Sequence, residues 1–148
     1  MASRYRHTQP GTLMLVALLA AAALLATMGF LIPTPAHWLP WALAIGFAIL
    51  AWLFSSLTAE VDADELRWHF GPGIWTHRIA LADIDSVRTV RNSWLNGFGI
   101  RMRPGFRLYN VSGLDAVELR LKSHEVRRIG TDDPQGLVEA LKSARRGL

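Results

Sequence analysis

The pattern of apolar and polar positions changes twice along the chain, and each change predicts a different kind of element. Residues 13–32, LMLVALLAAAALLATMGFLI, form an unbroken apolar run. As a helix this run covers ~30 Å, the hydrocarbon thickness of a bilayer. PTPAHWLP follows, with prolines that break a helix. Residues 41–57, WALAIGFAILAWLFSSL, are a second apolar run. It covers ~26 Å and predicts a short second crossing. Two spans joined by so short a loop predict an antiparallel hairpin.

From residue 58 the period becomes two. ELRWHF places Leu66, Trp68 and Phe70 on one face and Glu65, Arg67 and His69 on the other. GPG at 71–73 predicts a turn. Facing residues of an antiparallel pair share one side of the sheet. Matching the apolar faces therefore pairs Phe70 with Trp75, Trp68 with His77 and Leu66 with Ile79, around a loop at 71–74. LADIDS predicts a short helical turn, and VRTVR, FGIRM, FRLYNV and DAVELRL predict further strands. In VRRIGT the alternation fails at Arg127 and Arg128, which predicts a bulge or a sheet edge.

At the end the period becomes helical. Asp133 precedes Pro134, a cap-then-proline start. Leu137, Val138, Leu141 and Ala144 make an apolar stripe. Lys142, Arg145 and Arg146 suit the negative end of the helix dipole. The expected fold class is thus α+β: two transmembrane helices, then about seven strands in a barrel or sandwich capped by a C-terminal α-helix. The expected divisions are an N-terminal segment at 1–12, a transmembrane hairpin at 13–57 with spans 13–32 and 41–57, and a domain at 58–148.

Charge divides the chain in the same way. No Asp, Glu, Lys or Arg lies between Arg6 and Glu60, so the net charge of +4 averages two unlike halves. Arg4 and Arg6 precede the first run, and the connecting loop has no basic residue. Basic flanks stay on the cytoplasmic side, so both termini are expected there, with Trp38 and Trp41 at the opposite interface. A cleaved signal peptide is the competing reading of the first run, but this run is longer than a signal core and a second follows directly. Small residues four apart, such as Ala22 and Ala26, Ala42 and Gly46, or Ala44 and Ala48, would let helices pack within the hairpin or between chains.

DELRWHFGPGIWTHRIALADIDSVR, LYNVSGLDAVELRL and RIGTDDPQGL are the pieces by which the chain resembles the bacterial pleckstrin-homology-like domain proteins that carry a membrane hairpin before the domain. The resemblance implies a seven-stranded barrel capped by the C-terminal helix, placed at the bacterial inner membrane, and no enzyme activity. In phosphoinositide-binding relatives, basic residues around the first hairpin grip the headgroup. The corresponding VDADEL at 61–66 has three acids and no base, so that specific binding is not expected here.

Candidate chemistry is sparse. Without cysteine, disulfides, thiolate metal sites and thiol catalysis are excluded. Gly97 and Gly99 lack the third glycine and the following helix of a nucleotide loop. No G-x-S-x-G elbow, H-x-x-x-H pair, EF-hand spacing, zinc-finger spacing or RNP motif occurs. No catalytic, cofactor or metal residue, no small-molecule substrate and no nucleic acid is therefore expected. What remains is a basic stretch. No acid lies between Asp85 and Asp115, whereas Arg88, Arg91, Arg101, Arg103 and Arg107 do, together with Trp94. These residues are the candidate surface for a protein partner, a second copy or anionic lipid. The expected function is a membrane-anchored module for protein interaction or assembly. The alternatives are peripheral recognition of anionic headgroups and an accessory subunit of a membrane enzyme or transporter.

Overall fold

The computed structural model describes residues 5–33, 35–96 and 98–146. Its elements are β1 (Tyr5–Pro10), α1 (Thr12–Leu31), α2 (Trp38–Leu53), β2 (Ser56–Val61), β3 (Glu65–Phe70), β4 (Thr76–Ala80), β5 (Ile84–Arg91), β6 (Gly99–Arg103), β7 (Phe106–Asn110), β8 (Asp115–Leu121), β9 (Val126–Gly130) and α3 (Pro134–Arg145). The strands form two sheets, in the orders β1-β2-β3-β4 and β5-β8-β9-β7-β6. The fold is α+β. The expectation of about seven strands in a barrel or sandwich is corrected in strand number and in closure: among the described residues nine strands form two sheets that face one another, and neither closes into a barrel.

The first sheet follows the alternation closely. Leu66 pairs with Ile79 and Trp68 with His77, as matching apolar faces requires. Gly71 and Gly73 adopt φ of +43° and +83°, which the tight turn between β3 and β4 needs and glycine allows. Trp68 is fully buried and meets Tyr109 of the second sheet edge-on at 5.1 Å. Leu57, Leu66, Val117, Leu119 and Ile129 fill the space around them. Along one open side, α3 contributes Leu137, Val138, Leu141 and Ala144, the predicted stripe. The Asp133 carboxylate accepts from the Gly136 amide at 3.0 Å, the predicted cap.

Residues 5–10 carry no strong alternation, and no strand is expected there. They nonetheless form β1, antiparallel to β2, with Tyr5 opposite Val61 and Pro10 opposite Ser56. Proline is tolerated because β1 is an edge strand. The strand is fastened by long-range hydrogen bonds: Tyr5 donates to Asp133 at 3.0 Å, His7 meets Asp132 at 2.5 Å, and Gln9 donates to the Ser112 carbonyl at 2.8 Å. The helical hairpin is thus an insertion between two neighbouring strands of one sheet.

A second correction concerns the hairpin. α2 has 16 residues, which rise only ~24 Å. Among the described residues, only α1, with 20 residues, forms a helix long and apolar enough by itself to cross a membrane. Residues 56 and 57, expected to finish the second span, begin β2 instead. Pro40 lies within the first turn of α2, where its missing N–H costs no intrahelical bond. The two helices run antiparallel, since Phe30 packs edge-on against Trp41 at one end and the Gly11 amide donates to the Ser55 carbonyl at 2.7 Å at the other. Ala44 and Ala51 are buried between them, whereas Ala42 and Ala48 face outward. Large apolar side chains such as Val16, Leu24 and Ile45 cover the outside.

The third correction is β9. It is neither an edge nor bulged, but lies between β8 and β7, antiparallel to one and parallel to the other. Arg127 and Arg128 simply point to opposite sides of the sheet.

Candidate binding face

Register assembles the site. On β8, Val117, Leu119 and Leu121 point into the core, so Ala116, Glu118 and Arg120 lie on the outer face of the second sheet. Arg88 of β5 and Arg128 of β9 are the register partners of Glu118. The same row continues through Leu108 to Arg101 on the edge strand β6. One row further along stand Ser86, Arg120, Val126, Phe106 and Arg103. Two rows thus carry five arginines and one acid.

The acid is used internally. Arg88 donates from Nε and Nη2 to Glu118 Oε1 at 2.8 and 2.5 Å, and Arg128 donates from Nε to Oε2 at 2.7 Å. Arg128 also donates to Asn92 at 3.1 Å and lies over the Phe106 ring, 5.2 Å from its centroid. Burial by itself would raise the Glu118 carboxyl pKa. The hydrogen bonds from Arg128 and Arg88, with their charges, outweigh it and hold the group below the usual carboxylate range. Arg101, Arg103 and Arg120 are exposed, and none makes an ion pair with a described residue. They are the free positive charge of the face.

The arginines expected from sequence are distributed by this geometry. Arg88, Arg101 and Arg103 share the outer face, but Arg88 is spent on Glu118. Arg107 has the opposite parity and shares a row with Leu119, Arg127 and Met102. Arg91 stands opposite Asp115, beside a recess of about 370 Å³ that also touches Asp132 and Pro134. Trp94 is 73% exposed, in the connection between β5 and β6. Of the expected membrane anchors, Trp38 is exposed at the hairpin tip, Trp41 packs on Phe30, and Arg6 pairs with Glu60 at 3.1 Å within the sheet. Arg4 lies outside the described residues. Arg120 and Arg128 were not among the candidates. Alternation alone places Arg120 outward, but only the strand order brings it beside Arg103.

On the other side of the sheet, His77 is held between Trp68 and Tyr109, at ring-centroid distances of 5.5 and 4.8 Å. Its Nε2 is buried without a hydrogen-bond partner. Burial first, then the charges of Arg127 and Arg107, push its pKa below the ordinary value of 6.5. The folded state therefore favours the neutral ring. This contribution to stability is complete above pH ~6.5 and is lost as pH falls through the depressed folded pKa. Urea-unfolding midpoints will decline on acidification below pH ~6.5, and His77→Phe, which keeps the aromatic stack, will flatten that decline. A slope unchanged in the variant would remove His77 as its source.

Among the described residues, no three His, Asp or Glu side chains converge as metal ligands do. No family model, curated protein or solved structure matches the chain.

Proposed function

We propose that the chain is a non-enzymatic, membrane-anchored module of pleckstrin-homology-like kind, which offers the arginine-rich outer face of its second sheet to an acidic protein surface. The observation that carries this reading is the pairing of β1 with β2. Pro10 and Ser56 stand opposite one another, so the hairpin leaves and re-enters the domain at one point. If α1 crosses a bilayer, α2 must bring the chain back. The shortness of α2 is then met by local thinning of the bilayer and by the connecting residues. The domain lies on the side of the N-terminal arginines, which favours the cytoplasmic face of an inner membrane.

Strand direction favours a protein partner over lipid for the arginines. A Cβ at Gly99, at the start of β6, would lie 4.0 Å from the Met14 methyl in the first turn of α1. β6 runs away from there. At ~3.3 Å per residue, Arg101 and Arg103 stand ~7 and ~13 Å further from the hairpin. Attraction to an anionic leaflet fades over a Debye length of ~8 Å at physiological salt. The face therefore stands upright beside the membrane, where a neighbouring protein meets it.

The test places a photocrosslinking residue at Ser86, on the same face, in the full chain in native membranes. The expected result is a salt-sensitive protein adduct, lost when Arg101, Arg103 and Arg120 are replaced by glutamate. The Arg88–Glu118–Arg128 network is untouched by these changes, so the fold is retained. An adduct that survives the triple substitution undiminished, or no adduct at all, would sink the reading. The mass of the adduct separates a second copy from a subunit of a membrane enzyme or transporter.

A further inference from the structure

The two ends of the sandwich differ in chemistry. One end is marked by the hairpin: a Cβ at Gly71 would meet the Leu53 and Trp52 carbonyl oxygens at 2.5 and 2.7 Å, so the β3–β4 turn abuts the end of α2. Gly99 lies near Met14, and Ser112 accepts from Gln9, next to the start of α1. Three strand connections therefore meet at this end: residues 71–75, 92–98 and 111–114. None of them contains Asp, Glu, Lys or Arg. Three of the four connections at the far end do, with Asp62 and Asp64 between β2 and β3, Asp83 between β4 and β5, and Lys122 and Glu125 between β8 and β9; the fourth is Pro104 and Gly105, between β6 and β7.

At the hairpin end the uncharged connections expose large apolar side chains. Ile74 and Trp75 are 58% and 55% exposed, and Trp94 and Leu95 are 73% and 75% exposed. The position of Trp94 and Leu95 follows from topology. β5 and β6 occupy opposite edges of the second sheet, so their connection crosses four strand spacings, ~19 Å along the sheet. Asn92 marks its course by accepting from Arg128, two strands in from β5. The crossing carries Trp94 and Leu95 over the end of the sheet nearest the hairpin.

We propose that Ile74, Trp75, Trp94 and Leu95 form an interfacial seat that enters the headgroup boundary of the bilayer around the base of the hairpin. The occupant is a lipid surface rather than another protein, because the turn that carries Ile74 and Trp75 abuts the end of α2, and the exposed side chains of α1 and α2 are apolar. Tryptophan suits that depth, with an apolar ring and one N–H that reaches polar headgroups. The seat holds the sandwich upright and sets the height of the arginine face. The inference rests on the hairpin lying in the membrane, as proposed above.

The chain has no cysteine, so single labels can be placed at will. Spin labels are attached in turn at Trp75→Cys, Trp94→Cys and Leu95→Cys. Leu19→Cys on the outside of α1 and Ser123→Cys at the far end serve as references. The full chain is reconstituted into vesicles of phosphatidylethanolamine and phosphatidylglycerol, and collisions with oxygen and with a water-soluble nickel chelate are measured. The expected result is nickel accessibility several-fold lower at 75, 94 and 95 than at 123, with oxygen accessibility between those of 123 and 19. If 75, 94 and 95 match 123 while 19 reads as hydrocarbon, the seat is overturned and the membrane hairpin stands. If 19 also matches 123, the membrane reading itself fails and the seat with it. Shielding that disappears as protein is diluted in lipid would assign the patch to a second copy and overturn the proposal.

Discussion

A chain that starts at residue 58 will fail to fold, whereas one in which residues 11–55 are replaced by a short glycine-containing turn will fold in mild detergent. The first variant lacks β1 entirely and loses Ser56 and Leu57 from β2. Leu57 is a buried core residue, 2% exposed. β2 becomes a bare edge, and the hydrogen bonds from Tyr5 to Asp133, between His7 and Asp132, and from Gln9 to Ser112 all vanish. Each hydrogen bond is worth ~1 kcal/mol, and burying Leu57 is worth ~2 kcal/mol. With the strand ladder added, the loss takes up most of a stability of ~5–15 kcal/mol. The second variant keeps every one of these contacts, because Pro10 and Ser56 already stand opposite one another, as hairpin neighbours do. Amide hydrogen exchange separates the two outcomes: slow exchange in β2, β3 and β8 for the turn replacement, none for the truncation. A protected core in the truncated chain would show that β1 is dispensable.

Glu118→Ala will lower stability by ~3 kcal/mol, near the lower end of what breaking a buried ion pair costs. The carboxylate is 6% exposed and neutralises two guanidiniums. Its removal leaves Arg88 and Arg128 facing one another without a counter-ion. Arg88 is 67% exposed and relaxes into water, but Arg128 is 23% exposed and remains between Asn92 and Phe106. That asymmetry holds the estimate at ~3 kcal/mol rather than ~5. The carboxyl pKa is depressed in the fold, so its contribution is present above the unfolded carboxylate range and is lost as pH falls through the folded pKa. The variant and the parent chain will therefore converge in stability at strongly acid pH. Urea titrations at pH 7 and near pH 3 measure both effects. A penalty that is unchanged at acid pH would assign it to packing instead of charge.

Local signals were legible where a single element has to satisfy itself. The alternation in β3 and β8, the glycine turn at 71–73 and the Asp133–Pro134 start of α3 each encode a local preference, and each stands in the structure. Where tertiary partners decide, local pattern was silent or misleading. YRHTQP shows no apolar alternation, because its inward residues are Tyr5, His7 and Gln9, which bond to Asp133, Asp132 and Ser112; Tyr5 also packs against the core, but His7 and Gln9 are polar. The paired Arg127 and Arg128 read as a defect because each faces a different environment. Arg128 meets Glu118 on the outer face, and Arg127 pairs with Glu125 on the other side.

The candidate face was half legible. A run without acids from Arg88 to Arg107 is visible in one dimension, and it includes Arg101 and Arg103. Sequence cannot tell that Arg107 has the wrong parity to join them, or that Arg120 has the right one. Nor can it tell that a buried glutamate consumes Arg88. Those distinctions depend on strand order, and strand order is set by which faces can be buried together.

By itself, then, the sequence determined the division into an uncharged half and a charged half, the type of most elements and the inward residues of the best-patterned strands. These depend on hydrophobic transfer and on backbone preference, which act over a few neighbouring residues. The tertiary structure alone decided that the hairpin interrupts a sheet, that nine strands form two open sheets and that three uncharged loops gather at the hairpin end. It also placed the arginines of four strands on one outer face. Each of these is a matter of long-range pairing, in which a strand finds its partner by the burial and hydrogen bonds the whole chain can satisfy at once.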